Sequence, residues 1–127
     1  IDPSHLFWQG MDILEVIRTL GEKKAIYYFH AKDTQIMESV VRKEGVLDTK
    51  SFTDAAHRSW IFRTLGYGHD LGLWKQILSL LKIMGYDDSI SIEHEDGLMS
   101  PKEGLEKAIR LVKECMITQS NTNMWWA

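Results

Sequence analysis

An α/β fold with parallel strands is what this sequence predicts, on three observations. Stretches of strand character alternate with helical ones, the strand stretches are apolar enough to be covered by helices, and each ends in a group of ionisable side chains. In such folds ligands gather at the carboxyl ends of the strands, so groups placed there share one face without further assumption.

Ile1 reads as the last residue of a strand that lies ahead of the chain, and Asp2-Pro3-Ser4-His5 as the loop after it. Pro3 has no amide hydrogen and disfavours helix for Asp2, and Ser4 is a common turn residue. Asp2 and His5 either face a common pocket or serve locally, Asp2 capping a turn and His5 standing in solvent. Leu6, Phe7 and Trp8 pack under the domain rim or wall a ligand. A helix follows from Met11 to Leu20, with Ile13, Val16, Ile17 and Leu20 at helical spacing, Asp12 placed to cap its start and Gly21 its end. Ala25 to Phe29 is a continuous apolar run of strand length, and it ends in His30-Ala31-Lys32-Asp33.

Residues 34–70 form the least regular part, a long excursion in which 35–42 suits a short helix and 52–63 a loop leading into an extended piece. Gly66-Tyr67-Gly68 is a weak phosphate-loop signal with a turn as its default reading. Leu71 to Met84 is the clearest amphipathic helix, capped by Asp70, with Leu73, Trp74, Ile77, Leu80, Leu81 and Met84 on one stripe. Ser89 to Ile92 alternates as a half-buried strand and ends in Glu93-His94-Glu95-Asp96. Ser100-Pro101-Lys102-Glu103 is a capping box with proline at the first helical position. Leu105, Ala108, Ile109, Val112, Cys115 and Met116 line the face that helix buries. The domain spans 1–117, and 118–127 is a polar tail carrying Trp125-Trp126.

At 127 residues, 44% hydrophobic and 26% charged, the chain has the composition of one globular domain. Its net charge of −3 and pI near 5.9 offer no footprint for nucleic acid. No apolar run approaches the roughly 20 residues that cross a bilayer, and the start has no secretory pattern, so a cytoplasmic protein is expected. Cys115 reads as a small buried hydrophobe. Three successive strand ends carrying Asp2 and His5, His30 and Asp33, and Glu93 and Glu95 make a mixed oxygen and nitrogen site. Such a site suits Mn²⁺, Mg²⁺, Co²⁺ or Zn²⁺, or acid/base chemistry beside a polarised carbonyl.

These motifs, together with Phe62-Arg63-Thr64-Leu65-Gly66-Tyr67-Gly68-His69-Asp70, resemble the sixth, seventh and eighth strand ends of the sugar phosphate isomerase/epimerase family, which has the xylose isomerase-like TIM barrel. The resemblance covers nearly the whole chain. It implies the C-terminal portion of a (β/α)8 barrel, from the end of strand 6 through helix 8, with the barrel incomplete in this chain. It also implies Asp2, His30 and Glu93 as metal ligands and Glu93 as a proton-transfer carboxylate. His5 and Arg63 are implied substrate contacts, and Lys32 and Trp8 join them as substrate-binding candidates. The expected reaction is isomerisation or epimerisation of a sugar or sugar phosphate beside a divalent metal.

The family's second catalytic carboxylate, at the end of the fifth strand, has no counterpart here. A complete barrel takes about 250 residues. The piece alone is therefore expected to be inactive and to bind metal weakly, and its open edges and apolar faces favour a homo-oligomer. The alternatives are a non-catalytic remnant or oligomerisation fragment and, behind it, a metal-dependent barrel endonuclease.

Overall fold

The computed structural model describes residues 1–121 and 123–126; Thr122 and Ala127 of the predicted tail lie outside them. The N-terminal ammonium of Ile1 donates to the Tyr28 carbonyl at 2.6 Å, and the Ile1 carbonyl accepts from the His30 amide at 2.9 Å. That is the bond pattern of a parallel ladder with Ile1 opposite Phe29. Asp2 then leaves the ladder and opens a helix, α1 (Pro3–Trp8). Asp2 is extended, and its Oδ1 accepts from the Ser4 amide at 2.9 Å and the Ser4 hydroxyl at 2.7 Å. Pro3 stands at the first helical position, where its missing N–H costs nothing, so the loop expected over Asp2 to Trp8 is a capped helix.

Asp12 caps α2 (Ile13–Glu22) as expected, accepting from the Leu14 and Glu15 amides. Gly21 lies inside α2 instead of closing it. A Cβ at Gly21 would meet the Met84 side chain at 2.6 Å, so this glycine lets α2 lie directly on α4 (Leu71–Ile83).

The first strand, β1 (Phe29–Ala31), starts later than the apolar run suggests. A strand needs a ladder partner, and β4 (Ile90–Ile92) offers one only from Ile90, in the parallel register Phe29↔Ile90, His30↔Ser91, Ala31↔Ile92. Tyr27 and Tyr28 are therefore exposed. The 34–70 excursion is more ordered than expected. β2 (Asp33–Ile36) and β3 (Trp60–Arg63) pair antiparallel around α3 (Glu38–Glu44), with Asp33 opposite Arg63 and Ile36 opposite Trp60.

α4 buries Trp74, Ile77, Leu78, Leu80 and Leu81 under Asp70, whose carboxylate accepts from the Leu73 amide. α5 (Pro101–Cys115) begins at Ser100, whose hydroxyl accepts from the Glu103 amide. Phe29 and Ala31 of β1 join Ile13 and Ile17 of α2, the α4 face, and Ala108, Val112 and Cys115 of α5 in one core. Each large apolar side chain there contributes roughly 1.5–3 kcal/mol by burial. Leu105, Ile109 and Met116, expected inside, are exposed on the other side of α5. Trp125 and Trp126 of the tail meet edge to face and stand in solvent.

The strands and their flanking helices are thus those of an α/β fold, and among the described residues they close no barrel.

Candidate functional site

The β1–β4 register decides which strand-end groups share a face. His30 stands opposite Ser91, and Glu93 lies two residues beyond Ser91, so all three project from the same side of the pair. The Ser91 hydroxyl lies 3.1 Å from His30 Nδ1, and Glu93 Oε2 lies 3.8 Å from the same nitrogen. The Glu93 amide continues the ladder by donating to the Ala31 carbonyl.

The other Glu93 oxygen, Oε1, accepts from Lys32 Nζ at 3.1 Å. Lys32 also donates to Glu95, and its ammonium stands 3.9 Å from the centroid of the Phe62 ring. Although only 2% exposed, Lys32 stays charged. Burial works against its ammonium, but hydrogen bonds and attraction from Glu95 and Glu93 outweigh that and raise its pKa.

Asp2 is the residue after Ile1, whose carbonyl accepts from the His30 amide, so its backbone leaves the ladder next to His30. Its carboxylate is turned to α1: Oδ1 serves Ser4, and Oδ2 lies 3.5 Å from His5 Nε2. Among the described residues no group of three or more His, Cys, Asp or Glu side chains is gathered closely enough to hold a metal ion. The donor types nevertheless fit a divalent cation, with the imidazole of His30 and the carboxylate of Glu93 facing each other and Asp2 where its backbone leaves the ladder.

His5 is exposed and meets the Phe62 ring edge-on at 5.4 Å. Trp8 stacks on Trp60 at 5.0 Å, and its indole N–H is buried with no partner among the described residues. Arg63 donates from Nε to Asp96 Oδ2 at 3.1 Å and from Nη1 to Gln35, and packs over Tyr67. Asp96 also accepts from the Thr64 and Leu98 amides. Burial pushes the Asp96 carboxyl up, but these bonds and the Arg63 charge prevail and hold it below its ordinary value. The structure therefore brings His30, Lys32 and Glu93 together, sets His5 and Trp8 on the aromatic side of them, and engages Arg63 with internal partners.

Two residues contribute more than the sequence reading assigned to them. Phe62 links Lys32, His5, Phe52 and Trp60, and its i, i+2 spacing from Trp60 on β3 is the signal that could have found it. Glu95, grouped with Glu93 at its strand end, completes the Lys32 ion pairs and also lines a cavity of about 330 Å³ with Phe52, Ile61, Phe62 and Leu98. That volume sits at the low end of the roughly 300–1,000 Å³ of small-molecule sites.

The glycine loop has a different use. The carboxylate of Asp33 is fully buried and accepts from the amides of Thr34, Gly66, Gly68 and His69, from the His69 ring at 2.8 Å and from the Trp74 indole at 3.3 Å. The loop cradles an anion, and that anion is the protein's own side chain. Burial pushes the Cys115 thiol up, consistent with a core residue and not a nucleophile.

The family model for the xylose isomerase-like TIM barrel matches residues 1–115. Among curated proteins, the uncharacterized protein YfiH of Bacillus subtilis (strain 168) is 40% identical over 114 residues, covering 90% of this chain and 36% of the relative. The chain thus spans about a third of the length of that relative.

Proposed function

Because the chain belongs to the xylose isomerase-like TIM barrel family, we propose that it carries the metal-binding and proton-transfer side of a sugar isomerase or epimerase, as the C-terminal part of that fold. The observation that carries this reading is the position of Glu93, held between His30 and Lys32 at the carboxyl end of a parallel strand pair. Asp2, His30 and Glu93 would hold a divalent ion, Mn²⁺, Mg²⁺, Co²⁺ or Zn²⁺. When bound, that ion polarises the sugar carbonyl and acidifies the neighbouring C–H.

Glu93 is the base that takes the proton from that carbon. Lys32 binds one Glu93 oxygen and leaves the other turned to His30, which fixes the carboxylate for transfer. His5 meets sugar hydroxyls, Arg63 is a substrate contact steadied by Asp96, and Trp8 walls the site with its aromatic neighbours. The second carboxylate that the family resemblance implies for the proton transfer has no counterpart assigned among the described residues, so this chain by itself is expected to be inactive. Exposed Tyr27 and Tyr28, the apolar Leu105, Ile109 and Met116, and the open side of β4 support self-association.

A non-catalytic role in assembly is the second reading, favoured by the engagement of both Asp2 oxygens within α1. An endonuclease fits less well, since the chain is acidic and the cavity beside Glu95 is small and apolar. No helix among the described residues is long and apolar enough to cross a membrane.

The test is a chimera in which this chain replaces the matching 114 residues of YfiH. Ketose isomerisation or epimerisation that is lost on chelation and restored by one of the four metals supports the enzyme reading. A folded chimera inert towards sugars under all four supports the assembly reading.

A further inference from the structure

Two exposed features of the chain match each other. Trp125 and Trp126 stand 82% and 62% exposed and touch each other edge to face at 5.7 Å, in a segment, 118–126, that carries no charged side chain. Where α4, β4 and the end of α5 meet, a groove of about 370 Å³ is lined by buried Leu78 and Leu81 and by Tyr86, Ile90, Met116 and Ile117. It adjoins a cleft of about 350 Å³ beside Ile26, Tyr27 and Met84, and the two share Tyr86, Asp87 and Asp88. We propose that the Trp125-Trp126 pair of a second copy fills this groove and cleft, the two copies exchanging their segments symmetrically. The exchange rests on the self-association proposed above and not on the isomerase reading.

Both clefts have the chemistry an indole needs. The ring takes apolar surface, and its N–H requires an acceptor once buried. At the shared rim Asp88 already accepts from the Ser89 amide at 2.6 Å, whereas the Asp87 carboxylate accepts no hydrogen bond among the described residues. An uncharged segment meets no repulsion from these acids. Lys82, also at the groove, donates to the Ile117 carbonyl at 3.2 Å and so ties the start of the segment to the groove wall.

Within one copy the pair leaves the groove open. Ile117 lines it and Trp125 follows closely in the chain, yet both indoles face solvent. A partner's segment covers both apolar surfaces at once. Each buried indole removes roughly 150 Å² or more from water. With two per segment, two segments and a similar area of groove covered, the total is about 1,200 Å², the size at which specific interfaces begin. A symmetric exchange uses the same surfaces on both copies, so it closes at two.

The experiment is light scattering after size exclusion on the 127-residue chain over a concentration series, with tryptophan emission recorded on the same samples. Two variants are compared: Trp125→Ala with Trp126→Ala, which removes the occupant, and Ile117→Asp, which spoils the groove. All three side chains are exposed, and circular dichroism shows that the variants fold. The expected result is a dimer whose emission moves to the red as it dissociates on dilution. Each variant should raise the dissociation constant by about thirtyfold or more. Mixing the two variants should restore one of the two contacts and give a mixed dimer tighter than either variant alone. A dimer that neither variant weakens overturns the inference and leaves self-association through the exposed side of α5 standing. A monomer at every concentration overturns both, and a red shift on Ile117→Asp within that monomer puts the pair in its own groove.

Discussion

Lys32 and Glu93 are joined by a 3.1 Å hydrogen bond from an ammonium that is almost wholly buried to a carboxylate that is 42% exposed. The asymmetry matters. The lysine depends on its carboxylates to remain charged, whereas the carboxylates can turn to water. Lys32→Met, which keeps the packing on Phe62, is expected to cost only about 1 kcal/mol, because half-exposed partners are screened by solvent. The sign with pH is fixed by the raised pKa of Lys32. Its contribution is fully present below the ordinary value of 10.5 and is lost as pH rises through the folded value. Urea denaturation of both proteins well below and well above that value measures it, and the gap between them should shrink on the alkaline side.

The glycine loop around Asp33 should be the least forgiving part of the domain. A Cβ at Gly68 would lie 2.3 Å from the Thr34 carbonyl oxygen, a backbone atom that cannot move aside, and 2.7 Å from Asp33 Oδ1. Gly68→Ala is expected to destabilise by about 3 kcal/mol or more, and Asp33→Asn by a similar amount through its lost charged acceptor. Gly97→Ala, where an added Cβ meets nothing within 4 Å, is the control and should change stability by less than about 0.5 kcal/mol. Thermal melts of the variants decide the ranking.

Asp96 supports acid dependence. Its carboxyl is held below 3.8, so its stabilisation is present above that value and is lost as pH falls through the lower folded pKa. Asp96→Asn is expected to cost about 2 kcal/mol near neutrality. The difference from the parent should close in acid, as chemical denaturation at a series of pH values would reveal.

Exposed Tyr27, Leu105, Ile109 and Met116 lead to a prediction about assembly. Light scattering should find a homo-oligomer that dissociates when Ile109→Lys and Met116→Lys are combined. A monodisperse monomer of the parent chain contradicts this.

How far the sequence could be read is clear from two pairs of residues. Ser100-Pro101 and Asp2-Pro3 are both a capping side chain followed by proline at the first helical position. The first was legible because Glu103 completes a capping box and a long apolar stripe follows. The second was not, because the six residues from Pro3 to Trp8 are too few to show a period. The strand-end rule did bring His30, Lys32 and Glu93 together, since the parallel register places them there.

It could not show that Asp33, from the same motif, turns away to fill a glycine loop more than thirty residues on. That contact is non-local, and neither composition nor spacing encodes it. The β2–β3 ribbon was hidden for a similar reason, its strands being four residues each and separated by 23 others. The exposed side of α5 shows the limit of an apolar stripe, which marks what a helix can bury and not whether a neighbour arrives to cover it.

The central claim is that Glu93 moves the sugar proton. It is tested most directly by deuterium exchange at the carbon beside the ketose carbonyl, followed by NMR in heavy water. The proteins to compare are the metal-loaded YfiH chimera and its Glu93→Gln variant. The expected result is exchange by the chimera that slows by about 10²–10⁴-fold in the variant, with metal and fold retained. Exchange that proceeds equally in the variant would contradict the assignment of Glu93.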